Sequence, residues 1–400
     1  MSFGKFISAR RTSALNRVCS IFSQLLQLFP RGEFERAVHQ HQAERHARGF
    51  SSWGQMVAML FCQMGRAQSL REICGGLAAC EGKLRHLGVS ESPKRSTLAY
   101  ANAHRPWQLY QTVFGQLLDK CQREVRGSKK FRFKNKLLSL DGSVIDLSAT
   151  MYDWAKFRQT KGGVKLHLLL DHDGYLPKYA VIEPARKAEI KVARKLPLEP
   201  GTILVFDRGY TDYKWFARLT KQGVYFVTRQ RWNGYYRVVK QRKVPQHGNI
   251  LADQWVLLGH RSYRTGVAVR RVVVRDPETD KQFEFLTNHP GFAASTIAKI
   301  YRDRWQIEVF FKALKQSLRI KTFVGTSANA LKTQIWTALI AMLVLKYLKL
   351  KSSYGWSLSN LVALLRQQLF VYRDLWTWLN DPFEPPPALQ GLHDQLPLTF

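Results

Sequence analysis

Acidic residues are scarce in this 400-residue sequence. Aspartate and glutamate together number 29, against 62 lysines and arginines, so the formal net charge is +33 at pH 7. A surplus of this size argues against an enzyme of small neutral metabolites and indicates a polyanionic partner. Nucleic acid is the first interpretation, and an anionic membrane surface is the second.

Long apolar runs and cysteines are also scarce. The longest apolar run, residues 335–345, is interrupted by a threonine. It is too short for a hydrocarbon core that needs about 20 residues, so it predicts a buried core helix and no membrane span. The five cysteines include no C-x-x-C pair and all precede residue 122. They argue against a disulfide framework or a thiolate zinc site and predict a reducing compartment.

The N-terminal part, residues 12–121, is predicted to be helical. Apolar residues recur at helical spacing, beginning with Leu15, Val18, Phe22, Leu25 and Phe29. A second helix is predicted over residues 52–64, and a third begins at Ser69, where Glu72 completes a capping box. A further helix is predicted to begin at a cap formed by Ser92 or Ser96 and to end at Pro106. A basic helix that follows a short one is typical of a helix-turn-helix-like DNA reader, and a plain helical bundle is the alternative.

Strands are predicted after a basic linker at residues 126–136. Apolar runs at 137–145, 164–170 and 176–182 predict three strands, and the sequence Asp-His-Asp-Gly predicts the hairpin turn between the last two. The elements predicted next are a helix at 187–195, a strand at 202–206, a helix at 212–222 and a strand at 224–228. This order is typical of the ribonuclease H-like fold, in which carboxylates at strand ends face one another and share metal ions.

A basic and aromatic segment follows. Residues 213–252 contain no acidic residue, and residues 229–288 alternate as strands do. Basic and aromatic side chains together suit phosphate contacts and base stacking, and a β-domain with a solvated basic face is the alternative. The predicted organisation is a helical DNA-binding domain at 1–125, the first part of a catalytic core at 126–228, a β-rich insertion at 229–288, the last part of the core at 289–350, and C-terminal helices with a tail at 351–400.

Four polar residues fall on one side of the helix predicted after Pro290. Tyr301, Arg304, Glu308 and Lys315 have the spacing Y-x2-R-x3-E-x6-K. At about 100° per residue they lie within a sector of about 60°. One carboxylate, two cations and a phenol on one face suit a metal ion and phosphates, and a salt-bridged surface helix is the alternative.

This spacing resembles the YREK signature of the bacterial insertion-sequence transposases of the IS-four branch. Residues 138–143 resemble the family's first-aspartate strand, residues 154–167 the segment after it, residues 205–210 the second-aspartate motif, and residues 285–288 the strand before the glutamate helix. The resemblance covers about residues 135–350. It implies an α/β protein with a ribonuclease H-like catalytic core and a β-rich insertion, preceded by an all-α N-terminal domain and followed by C-terminal helices.

The resemblance implies that Asp141, Asp207 and Glu308 are the catalytic triad and the metal ligands. Phosphodiester hydrolysis and strand transfer use two divalent cations about 3.5–4 Å apart. Oxygen ligands suit Mg²⁺, with Mn²⁺ as a substitute. Strand-end capping is the alternative for each aspartate taken alone. Asp146 competes for the metal role, but its offset from Asp141 predicts the opposite strand face.

The resemblance also implies DNA contacts around the triad. Tyr301, Arg304 and Lys315 are expected to contact phosphates near the cleaved end, and Trp305 either stacks on an unpaired base or belongs to the core. The residues expected to line a DNA channel, or else to form a solvated basic face, are Lys156, Arg158, Lys161, Lys165 and Arg208.

These features together predict a DDE transposase that binds terminal inverted repeats, cuts at the 3′ ends and joins them to target DNA. The implied route is cut-and-paste, a route compatible with hairpin ends, and a homodimer would hold two DNA ends together. The predicted location is the bacterial cytoplasm, at the nucleoid. A non-cutting DNA-binding derivative and a ribonuclease H-like structure-selective nuclease are the alternatives.

Overall fold

The computed structural model describes residues 19–383, apart from residues 46, 48, 81, 126–129, 149–151, 159–160, 246–247, 260–267, 319 and 321. Within them the protein is a mixed α/β structure with helices before and after one large sheet. This coarse architecture confirms the prediction of a helical N-terminal part, a strand-rich middle and C-terminal helices.

In the part of the chain that the structure describes, six α-helices precede the sheet. They are α1 (Ile21–Leu26), α2 (Arg31–Gln40), α3 (Ser52–Met64), α4 (Leu70–Ala78), α5 (Arg95–His104) and α6 (Gln108–Glu124). α3 occupies the predicted range, whereas α1 covers only part of the predicted first helix, because Leu15 and Val18 lie outside the described residues.

The helix starts show which capping predictions were correct. At α4 the Ser69 hydroxyl accepts a hydrogen bond from the Glu72 amide at 3.2 Å, as the capping box predicts. The Glu72 carboxylate accepts in return from the amide of Gln68, at 2.8 Å, rather than from that of Ser69. The reciprocal capping is therefore confirmed, with the second bond shifted by one residue. At α5 the prediction of Ser92 or Ser96 as the cap was wrong. The helix begins after Lys94 without a side-chain cap, because the Ser92 hydroxyl donates to the Cys74 carbonyl at 2.7 Å.

Within the described residues, ten strands form one sheet, and two α-helices lie between them. The strands are β1 (Leu137–Ser148), β2 (Lys156–Arg158), β3 (Lys161–Asp171), β4 (Leu176–Pro184), β5 (Ile203–Phe206), β6 (Tyr225–Arg229), β7 (Tyr236–Gln241), β8 (Ile250–Leu258), β9 (Ala268–Arg275) and β10 (Gln282–Thr287). The inserted helices are α7 (Glu189–Ala193) and α8 (Tyr213–Lys221).

The strand order is β2-β3-β1-β5-β6-β10-β9-β8-β7, and β4 pairs with β3. β1 runs antiparallel to β3 and parallel to β5, and β5 runs parallel to β6. The β3–β4 turn is a hairpin in which Gly174 takes a positive φ of 73°. Strands β7 to β10 extend this same sheet, because β10 pairs with β6.

Up to residue 383, where the described residues end, five α-helices follow: α9 (Ala294–Asp303), α10 (Trp305–Ser317), α11 (Ala328–Lys351), α12 (Leu358–Gln368) and α13 (Leu375–Asn380). α9 packs on one face of the sheet through Ile297 and Ile300, and α8 packs on the other through Trp215 and Phe216. α11 is long and apolar enough to cross a membrane, but 83% of its most apolar 18-residue window is buried inside the protein. The prediction of a core helix here is confirmed.

The helix predicted through residues 301–315 is instead two helices, so the prediction of one continuous helix was wrong. α9 and α10 meet at Arg304, where the Arg304 amide bonds to the Tyr301 carbonyl at 3.2 Å and the Ile307 amide to the Arg304 carbonyl at 3.0 Å. These bonds span three residues, so the backbone tightens at the junction as a 3-10 turn does.

Candidate active site

Two aspartates come together at one edge of two neighbouring parallel strands. Leu140 of β1 pairs with Phe206 of β5, and Asp141 and Asp207 directly follow these two residues. The Asp141 carboxylate accepts the Gly142 amide at 2.8 Å, and the Asp207 carboxylate accepts the Gly209 amide at 2.7 Å. Each aspartate is therefore oriented by its own backbone, which leaves carboxylate oxygens available for other partners.

Arg304 brings the third carboxylate to this edge. Its Nη2 donates to Glu308 Oε1 at 2.6 Å, and its Nη1 lies 3.8 Å from Asp141 Oδ2. The guanidinium therefore lies between two acidic side chains and supplies a positive charge there. Its Nε is buried and has no hydrogen-bond partner among the described residues, so one donor remains for a further acceptor.

The electrostatics show that the three carboxylates share one environment. The pKa of Asp141 is raised to about 6, mainly by burial and also by the negative charges of Asp207 and Glu308, against the opposing effects of the Gly142 amide and Arg304. Burial also raises the pKa of Tyr301, whose ring lies 5.5 Å from the Arg304 guanidinium. A partly buried cluster of like charges is an arrangement that a divalent cation would relieve.

The donor chemistry fits a hard divalent cation, since all three candidate ligands are carboxylate oxygens. Among the residues that the structure describes, however, no three His, Cys, Asp or Glu side chains are close enough to enclose a metal ion. Arg304 supplies the positive charge between Asp141 and Glu308 in this arrangement.

The other predicted residues of the glutamate helix lie in different surroundings. Lys315 donates to the Val144 carbonyl at 2.8 Å, so it contacts β1 directly. Trp305 is 59% exposed and therefore does not belong to the core. It borders an open pocket of about 810 Å³ that Phe131 and Phe133 also line.

Two of the predicted channel residues, Lys165 and Arg208, have described side chains, and both lie close to the candidate aspartates. Lys165 is 14% exposed and pairs with Glu189 at 2.8 Å, so its charge is directed to a carboxylate. Arg208 is exposed directly after Asp207. The backbones of Lys156, Arg158 and Lys161 belong to β2 and β3, and their side chains lie outside the described part of the structure.

Gly142 is a site residue that the sequence interpretation missed. A Cβ at this position would lie 3.1 Å from His167 Nδ1, 3.3 Å from the Tyr210 hydroxyl and 3.3 Å from Lys165 Cδ. Any larger residue would therefore push neighbours on the strand face behind Asp141. A glycine inside a strand was the available signal, because such a glycine often marks a close approach.

Comparisons with known proteins agree on a family. Residues 132–344 match the profile of the family described as transposase DDE domain, and residues 18–90 match a domain of unknown function, DUF4372. The chain is 29% identical over 328 residues to the transposase y4zB of Sinorhizobium fredii, covering 80% of this chain and 89% of that protein. It is 28% identical over 255 residues to a transposase of insertion sequence IS5377 from Geobacillus stearothermophilus, covering 63% and 67%.

Two more distant likenesses were found. A transposase of insertion sequence element IS4SA from Synechocystis is 23% identical over 292 residues, covering 67% of this chain and 77% of that protein. Among solved structures, a piggyBac transposase synaptic complex with hairpin DNA has a TM-score of 0.43 and 9% identity, covering 94% of this chain and 84% of that one. The profile match spans more than half of the sequence, and the insertion-sequence relatives fit the predicted IS-four branch, so the chain belongs to the DDE-domain transposases.

Proposed function

We propose that this protein binds the terminal inverted repeats of an insertion sequence, cuts the DNA at the 3′ ends and joins them to target DNA. The observation that carries the proposal is that Arg304 lies between Asp141 and Glu308, while the charge of Asp207 also acts on Asp141, in a chain of net charge +33. Partly buried acidic groups within a basic protein suit phosphodiester chemistry on a polyanion.

The catalytic core of the proposal is ribonuclease H-like. Three consecutive antiparallel strands, β1, β3 and β4, followed by two parallel strands, β5 and β6, support it. The short strand β2 lies outside this set at the edge of β3. Asp141 and Asp207 directly follow the last pair of residues between β1 and β5, and carboxylates at strand ends are what we expect of this fold.

Asp141, Asp207 and Glu308 would hold Mg²⁺, or Mn²⁺ in its place. When bound, two such cations activate the attacking water or 3′-hydroxyl and stabilise the leaving oxygen. Arg304 offsets part of the negative charge of Asp141 and Glu308, and its guanidinium would also donate to a phosphate oxygen. Its planar group suits such an acceptor better than a lysine would.

DNA contacts extend the site on both sides. Tyr301 and Lys315 would contact phosphates, and Trp305, being exposed, would stack on an unpaired base. The basic residues proposed for the DNA channel are Lys156, Arg158, Lys161, Lys165 and Arg208. The helical part at residues 1–125 would recognise the repeat ends, and a homodimer in the bacterial cytoplasm would hold two ends in a cut-and-paste reaction.

The test uses the full-length protein and duplexes that carry the repeats flanking its gene. Asp141→Asn, Asp207→Asn and Glu308→Gln are each expected to abolish cleavage in Mg²⁺ or Mn²⁺, because they remove the charge that holds the cations. Their DNA affinity in gel shifts should stay near that of the parent protein. Asp146→Asn is the matched control, because Asp146 is exposed on the same strand. Cleavage that survives in all three variants would exclude the DDE mechanism.

A further inference from the structure

A buried network of hydrogen bonds connects β1 to the end of α9. Ser139 Oγ lies 2.7 Å from His172 Nε2, and His172 Nδ1 lies 2.6 Å from Asp303 Oδ2. We call Ser139, His172 and Asp303 the anchoring network. Because an ionised carboxylate only accepts, the His172 Nδ1–H donates to Asp303.

The connectivity is that of a Ser-His-Asp hydrolase, but the surroundings exclude that chemistry. Ser139 is 0% exposed and lies on a strand paired on both sides, with Leu170 of β3 and Val205 of β5. His172 is 4% exposed and Asp303 is 5% exposed. A substrate has no path to the Ser139 hydroxyl, so nucleophilic catalysis does not explain the network.

The ends of the anchoring network explain it better. Ser139 precedes Asp141 by two residues, so both side chains lie on the same face of β1. Asp303 directly precedes Arg304, whose guanidinium contacts Asp141 and Glu308. The network therefore joins the strand of the first catalytic carboxylate to the helix junction that leads to the third.

The Asp303 carboxylate is held by more than one donor. The Tyr175 hydroxyl donates to it at 3.1 Å, and Lys130 forms an ion pair with it. Burial opposes the charged form, but His172 and Lys130 outweigh it and lower the pKa of Asp303, which keeps the carboxylate charged. A buried charge with several fixed donors has one low-energy position, because any displacement leaves a donor or the charge unsatisfied.

We propose that Ser139, His172 and Asp303 are positioning residues that set the distance between Asp141 and the Arg304–Glu308 pair, and thereby the affinity of the site for divalent cations. The proposal rests on the proposed function, since it assigns the network a role toward that same metal site. The 3-10 turn at Arg304 supports it, because the junction between α9 and α10 lies at the residue next to the anchor. The network would act through the backbones of β1 and α9, since its members are hydrogen-bonded to one another and the proposed ligands lie further along these elements.

The test measures Mn²⁺ binding to the full-length protein by titration calorimetry, in the absence of DNA. Ser139→Ala removes one hydroxyl from the network, and Asp303→Asn removes its charge. Each is expected to weaken Mn²⁺ binding by about 10-fold, the lower end of the cost of losing a partner bonded directly to a metal ligand, because the network acts through the backbone. Ser139→Thr keeps the hydroxyl and should restore most of the affinity.

A matched control separates positioning from general stability. His41 Nε2 and Thr112 Oγ1 are hydrogen-bonded at 2.7 Å between the N-terminal helices, and Thr112→Val removes that bond. Thr112→Val should lower the melting temperature about as much as Ser139→Ala does, but it should bind Mn²⁺ with the affinity of the parent protein. DNA affinity in gel shifts should remain unchanged in every variant.

Two results would overturn the proposal, and they are distinguishable. If folded Ser139→Ala and Asp303→Asn bind Mn²⁺ as the parent does, while Asp141→Asn does not bind it, the metal site stands and the network only supports the fold. If the parent and Asp141→Asn bind Mn²⁺ equally, the proposed metal site fails and the positioning role fails with it.

Discussion

Two sites, one in each half of the sheet, bury charge in opposite ways. In the half formed by β7 to β10, Asp253 of β8 is paired by two parallel bonds with Arg270 of β9, at 2.7 and 2.5 Å, and Arg270 is 1% exposed. In the half formed by β1 and β3 to β6, Asp141 has an arginine at 3.8 Å that also binds Glu308. This half also contains a neutralised buried charge, since Asp171 pairs with Lys136 at 2.7 Å. The contrast is therefore between the Asp253–Arg270 pair, which is neutral, and the site of Asp141 and Glu308, where one arginine leaves an excess of negative charge.

This difference separates stability from chemistry. A buried ion pair that is fully hydrogen-bonded holds two strands together, and removing one partner leaves the other uncompensated. A buried carboxylate with an elevated pKa, in contrast, costs the apo protein stability above that pKa. The same sheet therefore contains acidic groups that should respond to neutral substitution with opposite signs.

The largest change in the free energy of unfolding is expected when the Asp253–Arg270 ion pair is broken. Asp253→Asn keeps the side-chain shape but leaves Arg270 buried without its counter-charge, so the free energy of unfolding should fall by about 3–5 kcal/mol. Thermal or urea unfolding would measure the loss. Asp280→Asn is the control, because Asp280 is 83% exposed and lies 3.5 Å from the exposed Arg275, and its loss should change stability by less than about 1 kcal/mol. Equal losses in the two variants would contradict the distinction.

At Asp141 we expect the opposite effect, a gain in the free energy of unfolding on substitution, in buffer without divalent cations. Its pKa of about 6 exceeds the ordinary value of 3.8, so the folded protein holds the extra proton between these values. The stability of the parent therefore falls as the pH rises through that window, whereas Asp141→Asn cannot ionise. The variant should be more stable by about 1–3 kcal/mol at pH 8, with the difference vanishing near pH 4.

Unfolding with EDTA at several pH values would check the sign. Asp146→Asn is the matched control on the same strand, since its carboxylate is exposed and its substitution should have little effect at either pH. If Asp141→Asn is destabilised equally at pH 4 and pH 8, the ionised Asp141 carboxylate does not destabilise the folded parent protein.

Local sequence signals predicted the strands that carry Asp141 and Asp207 better than they predicted the long-range contacts of these strands. Asp141 lies within an apolar strand and Asp207 directly after one, and the strand order brings such residues to one edge. The anchoring network could not be predicted this way, because Ser139 and His172 are 33 residues apart and His172 and Asp303 are 131 apart. No local pattern links a buried serine with a turn histidine and a helix aspartate.

The same limit applies to the helix break and to β7–β10. Residues 294–317 contain neither glycine nor proline, so periodicity alone predicted one helix where the structure has a junction at Arg304. Alternation identified the strands at residues 229–288, but it cannot tell whether strands form their own sheet or join another. The pairing of β10 with β6 decided that, and it depends on residues distant in sequence.

The smallest effect is expected at the exposed edge of the second half, where all residues of β7 are accessible. Arg237 and Lys240 carry exposed charges there, and Trp232 beside them is 91% exposed. If this edge contacts DNA, each of Arg237→Ala and Lys240→Ala should reduce the slope of log affinity against log salt by about 1, because one fewer counterion is released. Stability should not change, since neither side chain is buried.

Lys349→Ala, on the exposed end of α11, is the matched control, and gel shifts at several salt concentrations give the slopes. Slopes equal to the parent's in both β7 variants would restrict DNA contacts to the other half of the sheet and to the helices.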